Sequence, residues 1–220
     1  MSIRSLISVL AVSVAALAFL PAGAQAAKSK SVGDHMEHHA PKVTHANSPS
    51  TRAYKVAMAT MHKNMQAPLS GNVDVDFVRQ MIPHHQGAVA MAKIQLQYGH
   101  DEQLKSFSRW IIFAQELEIA SMKTWLNRRD NGAVVGNATD YFGDAMQAMH
   151  HGMMINYTGD ADVDFVRGMI PHHQGAVAMA SILLSDGTDP DTNDIANEIY
   201  DSQNYEIAWM KRWLAARTDK

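Results

Sequence analysis

The sequence predicts an all-α protein: a four-helix bundle built from a tandem duplication, with two short helices added. Three observations predict it. Shifting the chain by 88 residues lays Met58 to Leu126 on Met146 to Leu214 without a gap. Each copy carries helix-period apolar stripes in one short and two long segments. Breaks rich in Gly, Asn, Asp and Pro separate the segments, and such short connections leave neighbouring helices antiparallel. Four long helices related in this way form a bundle with internal pseudo-twofold symmetry.

Residues 1–26 precede the bundle and read as a secretory signal peptide. Arg4 supplies the positive region, Leu6 to Leu20 the apolar run, and Ala24-Gln25-Ala26 the small-residue cleavage site. The apolar run is short for a membrane span, and no later stretch resembles one. The expected location is periplasmic or secreted, after cleavage near Ala26. Residues 27–52 form a polar tail with His35, Met36, His38, His39 and His45. Without apolar periodicity the tail is expected to be disordered. It is either a loose metal-binding tract or a soluble spacer.

Residues 53–130 form the first repeat. Tyr54 to about Gln66 reads as a short helix carrying Met58, Met61, His62 and Met65, broken by Pro68, Ser70, Gly71 and Asn72. The next helix starts at Asp74, expected as its N-cap, with Asp76 in its first turn. It runs to Tyr98 and stops at Gly99. Pro83 within it removes one backbone hydrogen bond and predicts a kink, which either re-aims His84 and His85 or is a tolerated bend. Phe77, Ile82, Val89 and Leu96 supply its core. Asp101 caps the following helix, which continues to Arg129 on a stripe of Leu104, Phe107, Ile111, Ala114, Leu117, Glu118, Met122 and Trp125, with Gln115 nearby. Residues 131–139 form a linker. Residues 140–216 repeat the series, with Met146, Met149, His150 and Met153 in the short helix.

The stretch Asp74 to Ala92 recurs as Asp162 to Ala180 with one difference, Gln80 against Gly168. As a helix it places Met81, His84, Ala88 and Met91 on one face with His85 at the edge. The second copy offers Met169, His172, His173 and Met179. Thioether and imidazole on one stripe suit copper(I) or silver(I), and copper(II) prefers the imidazoles. The chain has 15 Met, 12 His and no Cys, so thiolate ligation is excluded. Methionine also serves as core filler. Adjacent histidines are less easily explained as core, because each ring needs a polar partner. Exposed-looking positions differ between copies, as at Lys93 and Ser181, Gln95 and Leu183, Tyr98 and Asp186, whereas the Met, His, Gln and Glu set does not. The ligand candidates are therefore Met58, Met61, His62, Met65, Met81, His84, His85, Met91 and Met122, with Met146, Met149, His150, Met153, Met169, His172, His173, Met179 and Met210. Glu118 and Glu206, with Gln115 and Gln203, are expected to orient histidines rather than to ligate.

Other chemistries lack their residues. A formal net charge of −3 argues against a nucleic-acid partner. No Glu-x-x-His occurs, as a di-iron carboxylate centre requires, and no His-Glu-x-x-His or Gly-x-Ser-x-Gly. No catalytic residue is assigned, and the chain is read as a binding protein rather than an enzyme. Two alternatives stay open: an oxidase or reductase acting on copper, and a Met-rich interaction module without metal.

The motif resembles the family known as domain of unknown function 305. The residues that carry the resemblance are Asp74, Asp76, Phe77, Met81, His84, His85, Met91, Ala92, Gln115, Glu118, Ile119, Met122, Trp125 and Leu126. Asp162, Asp164, Phe165, Met169, His172, His173, Met179, Ala180, Gln203, Glu206, Ile207, Met210, Trp213 and Leu214 repeat them. Ser108-Arg109-Trp110 is replaced by Ala196-Asn197-Glu198, which touches no ligand candidate. The resemblance implies a ferritin-like helical bundle. It also implies copper binding, since some members of that family are periplasmic copper-binding proteins linked to copper resistance. Besides the metal ion, a copper export or acceptor protein is the expected partner.

Overall fold

Six α-helices account for the secondary structure of the computed structural model, which describes residues 47–129 and 138–218. They are α1 (Pro49–Met65), α2 (Val73–Tyr98), α3 (Glu102–Arg129), α4 (Gly143–Gly152), α5 (Ala161–Asp186) and α6 (Pro190–Thr218). No strand occurs among the described residues. The expected signal peptide, the tail as far as residue 46 and most of the linker lie outside them. No described helix is long and apolar enough to cross a membrane.

The four long helices pair as expected of a bundle. α2 packs on α3, α5 packs on α6, and α2 and α5 face each other at the centre. The short helices lie against this centre, α1 on α2 and α4 on α5. Between α3 and α6, the Phe107 ring stacks on Trp209 at 4.3 Å.

Several helix starts differ from expectation. α1 begins at Pro49, inside the stretch read as tail. Ser48 accepts a hydrogen bond from the Thr51 N–H and Pro49 follows it, so cap and first residue are both locally favoured. Asn72, not Asp74, caps α2, its side chain accepting from the Val75 N–H at 3.0 Å. Asp160 caps α5 in the same way. Asp76 accepts from Ser70 N–H, Ser70 Oγ and Gly71 N–H, and so ties down the turn before α2. Asp164 does the same with Thr158 and Gly159. Gly71 and Gly159 both have φ of 82°, where a side chain would be strained.

Asp74 and Asp162, freed from capping, reach across the molecule. Asp162, on α5, accepts from Gln95 Nε2 and from the N–H groups of His100 and Asp101. Asp74, on α2, accepts from Thr188 N–H, Thr188 Oγ1, Asp189 N–H and Thr192 Oγ1. Each carboxylate thus closes the turn between the two long helices of the opposite half. A second layer repeats the exchange. Trp125 Nε1 donates to Asp189 and Arg129 pairs with it at 2.7 Å, while Arg217 pairs with Asp101 at 2.6 Å.

The buried face of α3 is rotated from the predicted stripe. Leu104, Ser108, Ile111, Gln115, Ile119, Met122 and Trp125 face inward. Leu117 is 42% exposed, and Phe107 is half-buried. On α2, Ile82 and Leu96 are only half-buried, whereas Gln95, which looked exposed, is fully buried. Gln95 answers Asp162 with its amide N–H, and Ser108 Oγ donates to its Oε1. In the second half Leu183 and Ala196 fill the matching positions and are also buried. α2 and α5 run unbroken past Pro83 and Pro171.

Candidate metal centre

His84 and His172 meet where α2 faces α5. Their ring centroids are 3.8 Å apart, and neither residue is exposed. His84 Nε2 lies 3.1 Å from the main-chain carbonyl of His172, and His172 Nε2 lies 3.1 Å from that of His84. A carbonyl only accepts, so each Nε2 carries a hydrogen and each Nδ1 presents a lone pair. Burial first, then the charge of neighbouring histidines, holds both rings well below the ordinary histidine pKa. Both are neutral imidazoles at physiological pH.

His85 and His173 stand beside them, each 0% exposed. His85 Nε2 is 2.7 Å from Glu118 Oε2, and His173 Nε2 is 2.6 Å from Glu206 Oε2. The carboxylate accepts the Nε2 hydrogen and directs the opposite nitrogen inward. This is the arrangement in which an outer carboxylate fixes the tautomer of a metal-binding imidazole. Among the described residues, the Nδ1 atoms of His84, His85, His172 and His173 have no hydrogen-bond partner. Gln115 Oε1 and both amide atoms of Gln203 are also buried without a partner among the described residues.

Most of the sulfur candidates are buried. Met81 and Met169 lie one turn before the inner histidines, and both are fully buried. Met91, Met122, Met179 and Met210 are buried on α2, α3, α5 and α6. Met61 and Met149 approach through glycine. A Cβ on Gly87 would lie 2.5 Å from Met61 Sδ, and one on Gly175 would lie 2.7 Å from Met149 Sδ. Glycine there lets each thioether sit against the long helix one turn past His84 or His172. Met65 and Met153 are buried at the ends of the short helices, while Met58 and Met146 are half-buried. Tyr157 donates its hydroxyl to Met58 Sδ at 3.0 Å.

The two halves are not identical. Met91 packs against Gly168, 3.0 Å from where a Cβ would stand. The matching position on α2 holds Gln80, whose buried Oε1 has no partner among the described residues. Glu198, which replaces Trp110 in the 88-residue shift, was not a candidate. It is half-buried, and burial together with Glu118 and Asp194 pushes its carboxyl up to about 7. Only the exchange of Trp for Glu marked it in the sequence. His62 and His150 lie apart from the inner rings, nearer the surface, and contact each other.

The donor set decides what these residues can hold. Among the described residues, no three His, Asp or Glu side chains form a metal site by themselves. Imidazole nitrogen and thioether sulfur are the donor types that the buried candidates offer. Such a set fits a soft monovalent ion and not a hard one.

The family profile for domain of unknown function 305 matches residues 74–214. No curated protein matches the chain. Among solved structures, CopM in the Cu(I)-bound form is 37% identical, with a TM-score of 0.52 over 65% of this chain and 96% of that one. CopM in the Cu(II)-bound form is 35% identical, with a TM-score of 0.51 over 65% and 96%. A DUF305 fragment from Deinococcus radiodurans is 27% identical, with a TM-score of 0.52 over 66% and 96%.

Proposed function

We propose, since the chain belongs to the domain of unknown function 305 family, that it is an exported copper-binding protein that holds Cu(I) in the bundle through imidazole nitrogen and thioether sulfur. One observation carries the reading: the buried, unpartnered Nδ1 atoms of His84, His85, His172 and His173. Burying a polar atom without a partner is unfavourable, and a bound cation would relieve it. Met81 and Met169 on the same faces, with Met61 and Met149 against Gly87 and Gly175, supply the sulfur. CopM has been solved with Cu(I), with Cu(II) and with silver, which supports copper as the cargo and silver as its mimic.

The role is sequestration or transfer in copper tolerance, not catalysis. The family motif stands twice in the chain, so the protein carries two sets of ligands. A copper export or acceptor protein would receive the ion. The export pattern in residues 1–26 puts this work in the periplasm or outside the cell. Burial lowers the pKa of His84 and His172, so protons compete less for these two rings than for an exposed imidazole.

The test is an anaerobic Cu(I) titration of the full chain against a competing colorimetric chelator. It is repeated with His35, His38, His39 and His45 replaced by Ala. Tight binding at integral stoichiometry in both proteins is the expected result. Binding lost with the tail histidines would move the site out of the bundle, and no competition in either would overturn copper binding.

A further inference from the structure

One stripe of α3 turns large apolar side chains toward solvent. Trp110, Phe113 and Leu117 are spaced by three and four residues, so they form one ridge. Phe113 is 55% exposed, Leu117 is exposed as well, and the Trp110 ring stands 6.0 Å from that of Phe113. Gln103, Ser106, Ala120 and Thr124 continue the same spacing without charge. The stripe therefore keeps the seven-residue period of a helix–helix seam for about three repeats.

A charged row runs beside the ridge. Glu102, Arg109, Glu116 and Lys123 follow at intervals of seven, all exposed and alternating in sign. Seven residues are close to two helical turns, so the four share one side of α3. Read from its other end, the row presents the opposite sign at every place. An identical helix laid antiparallel about Phe113 would set Glu102 against Lys123 and Arg109 against Glu116, each pair occurring twice. Charges flanking an apolar seam select partner and orientation in this way. The contacts these carboxylates make within the chain do not compete strongly. Glu116 meets Lys93 at 3.4 Å and Glu102 meets Lys105 at 3.0 Å, both at the surface, where ion pairs contribute little.

The second half lacks both features. In the 88-residue shift Trp110, Phe113 and Leu117 become Glu198, Asp201 and Tyr205. The charged row becomes Pro190, Asn197, Asn204 and Lys211. On α6 an antiparallel self-pairing would bring Asp201 against Asp201 with no alternating charges beside it. Of the two equivalent helices, only α3 is complementary to itself.

We propose that α3 docks antiparallel on α3 of a second copy of this chain, forming a two-fold dimer on the ridge of Trp110, Phe113 and Leu117. A two-fold interface uses the same patch on both copies with reciprocal contacts, which the ridge and its charged row provide. Phe113 meets Phe113 at the centre and Trp110 meets Leu117 on either side, an aromatic core of the kind interfaces favour. A single pair of helices covers less than the roughly 800 Å² per partner of a standard interface, so the dimer forms reversibly with concentration. Nothing in this pairing rests on the copper reading.

Analytical ultracentrifugation of the full chain over a range of concentrations tests it, with a chelator present so that no metal bridges two copies. A monomer–dimer equilibrium is expected. Phe113→Asp, at an exposed position, should leave the protein monomeric with its helicity by circular dichroism unchanged. Arg109→Glu and Glu116→Arg should each weaken the dimer roughly tenfold, because each acts twice and turns an attraction into a repulsion. The protein with both changes should recover the parent's association, since the pairs re-form with their signs exchanged. A parent that stays monomeric at every concentration, a dimer unaffected by Phe113→Asp, or a reversal that the second reversal does not rescue overturns the proposal.

Discussion

His84 and His172 exchange hydrogen bonds across the bundle, each donating Nε2–H to the other's main-chain carbonyl at 3.1 Å. Because a carbonyl has a second lone pair, it can take this bond beside its helical one. The exchange fixes both tautomers and locks α2 to α5 by the residues that present free nitrogen. Packing and ligand presentation are one arrangement here.

That arrangement has a pH signature in the metal-free protein. Burial, and then neighbouring histidines, lowers both pKa values well below 6.5 in the fold. The unfolded chain takes up protons near 6.5 and the folded chain does not. The stability is therefore complete above that pH and is lost as pH falls below it, toward the folded values. Two such groups change stability by at most about 2.7 kcal/mol per pH unit. Urea unfolding of metal-free protein between pH 8 and pH 5 should show the fall, and His84→Gln with His172→Gln should flatten it. A parent profile that is already flat would contradict the burial argument.

Met81→Leu with Met169→Leu separates sulfur from packing. Both side chains are 0% exposed. Leucine is close in volume, so each change should cost less than about 1.5 kcal/mol in urea unfolding. Cu(I) affinity should fall by at least the ~10-fold expected for an outer-shell partner. If the chelator competition does not change, these two sulfurs serve the core alone.

Glu118→Gln and Glu206→Gln keep an acceptor near the histidine but remove its charge. Cu(I) affinity should fall by ~10-fold to ~100-fold with helicity intact. Glu206 is the less exposed partner, at 8% against 15%, so its change should have the larger effect. Equal and negligible effects would leave both carboxylates as hydrogen-bond partners of the rings with no part in holding the ion.

Asp74→Asn and Asp162→Asn test the exchange between the halves. Asparagine turns one accepting oxygen into a donor and sets it against N–H and O–H groups that also donate. Loss of one charge-assisted bond at each site should cost about 1.5–3 kcal/mol in urea unfolding. A loss within ±0.5 kcal/mol, typical of ordinary surface positions, would show that the turns close without these carboxylates.

The helices and their ends were mostly legible because local rules govern them. Periodicity, Gly99 and Asp101 mark the α2–α3 junction, and the Asp101 side chain does cap α3 through the Leu104 N–H. What escaped depends on residues distant in sequence. Asp74 looks like a cap until Asn72 takes that role and Thr192, from the far half, takes the carboxylate. Gln95 and Ser108 look like two unrelated polar changes but are one buried contact, replaced together by Leu183 and Ala196. The inward face of α3 was misplaced because Ser108 and Gln115, polar by type, turn inward while Leu117 turns out. At the candidate centre the residue types and faces were readable. The reciprocal carbonyl bonds and the contact of His62 with His150 were not, because each joins residues 88 apart.

The crossed carboxylates of Asp74 and Asp162 have a consequence for dilution. Each half finishes a turn that the other half cannot finish alone. Separate halves would have to find each other in solution, and their assembly would weaken as they were diluted. One covalent chain turns that encounter into an intramolecular step whose partner is always present at a high effective concentration. The folded architecture, and whatever ion it holds, is then maintained however few copies of the protein share the compartment.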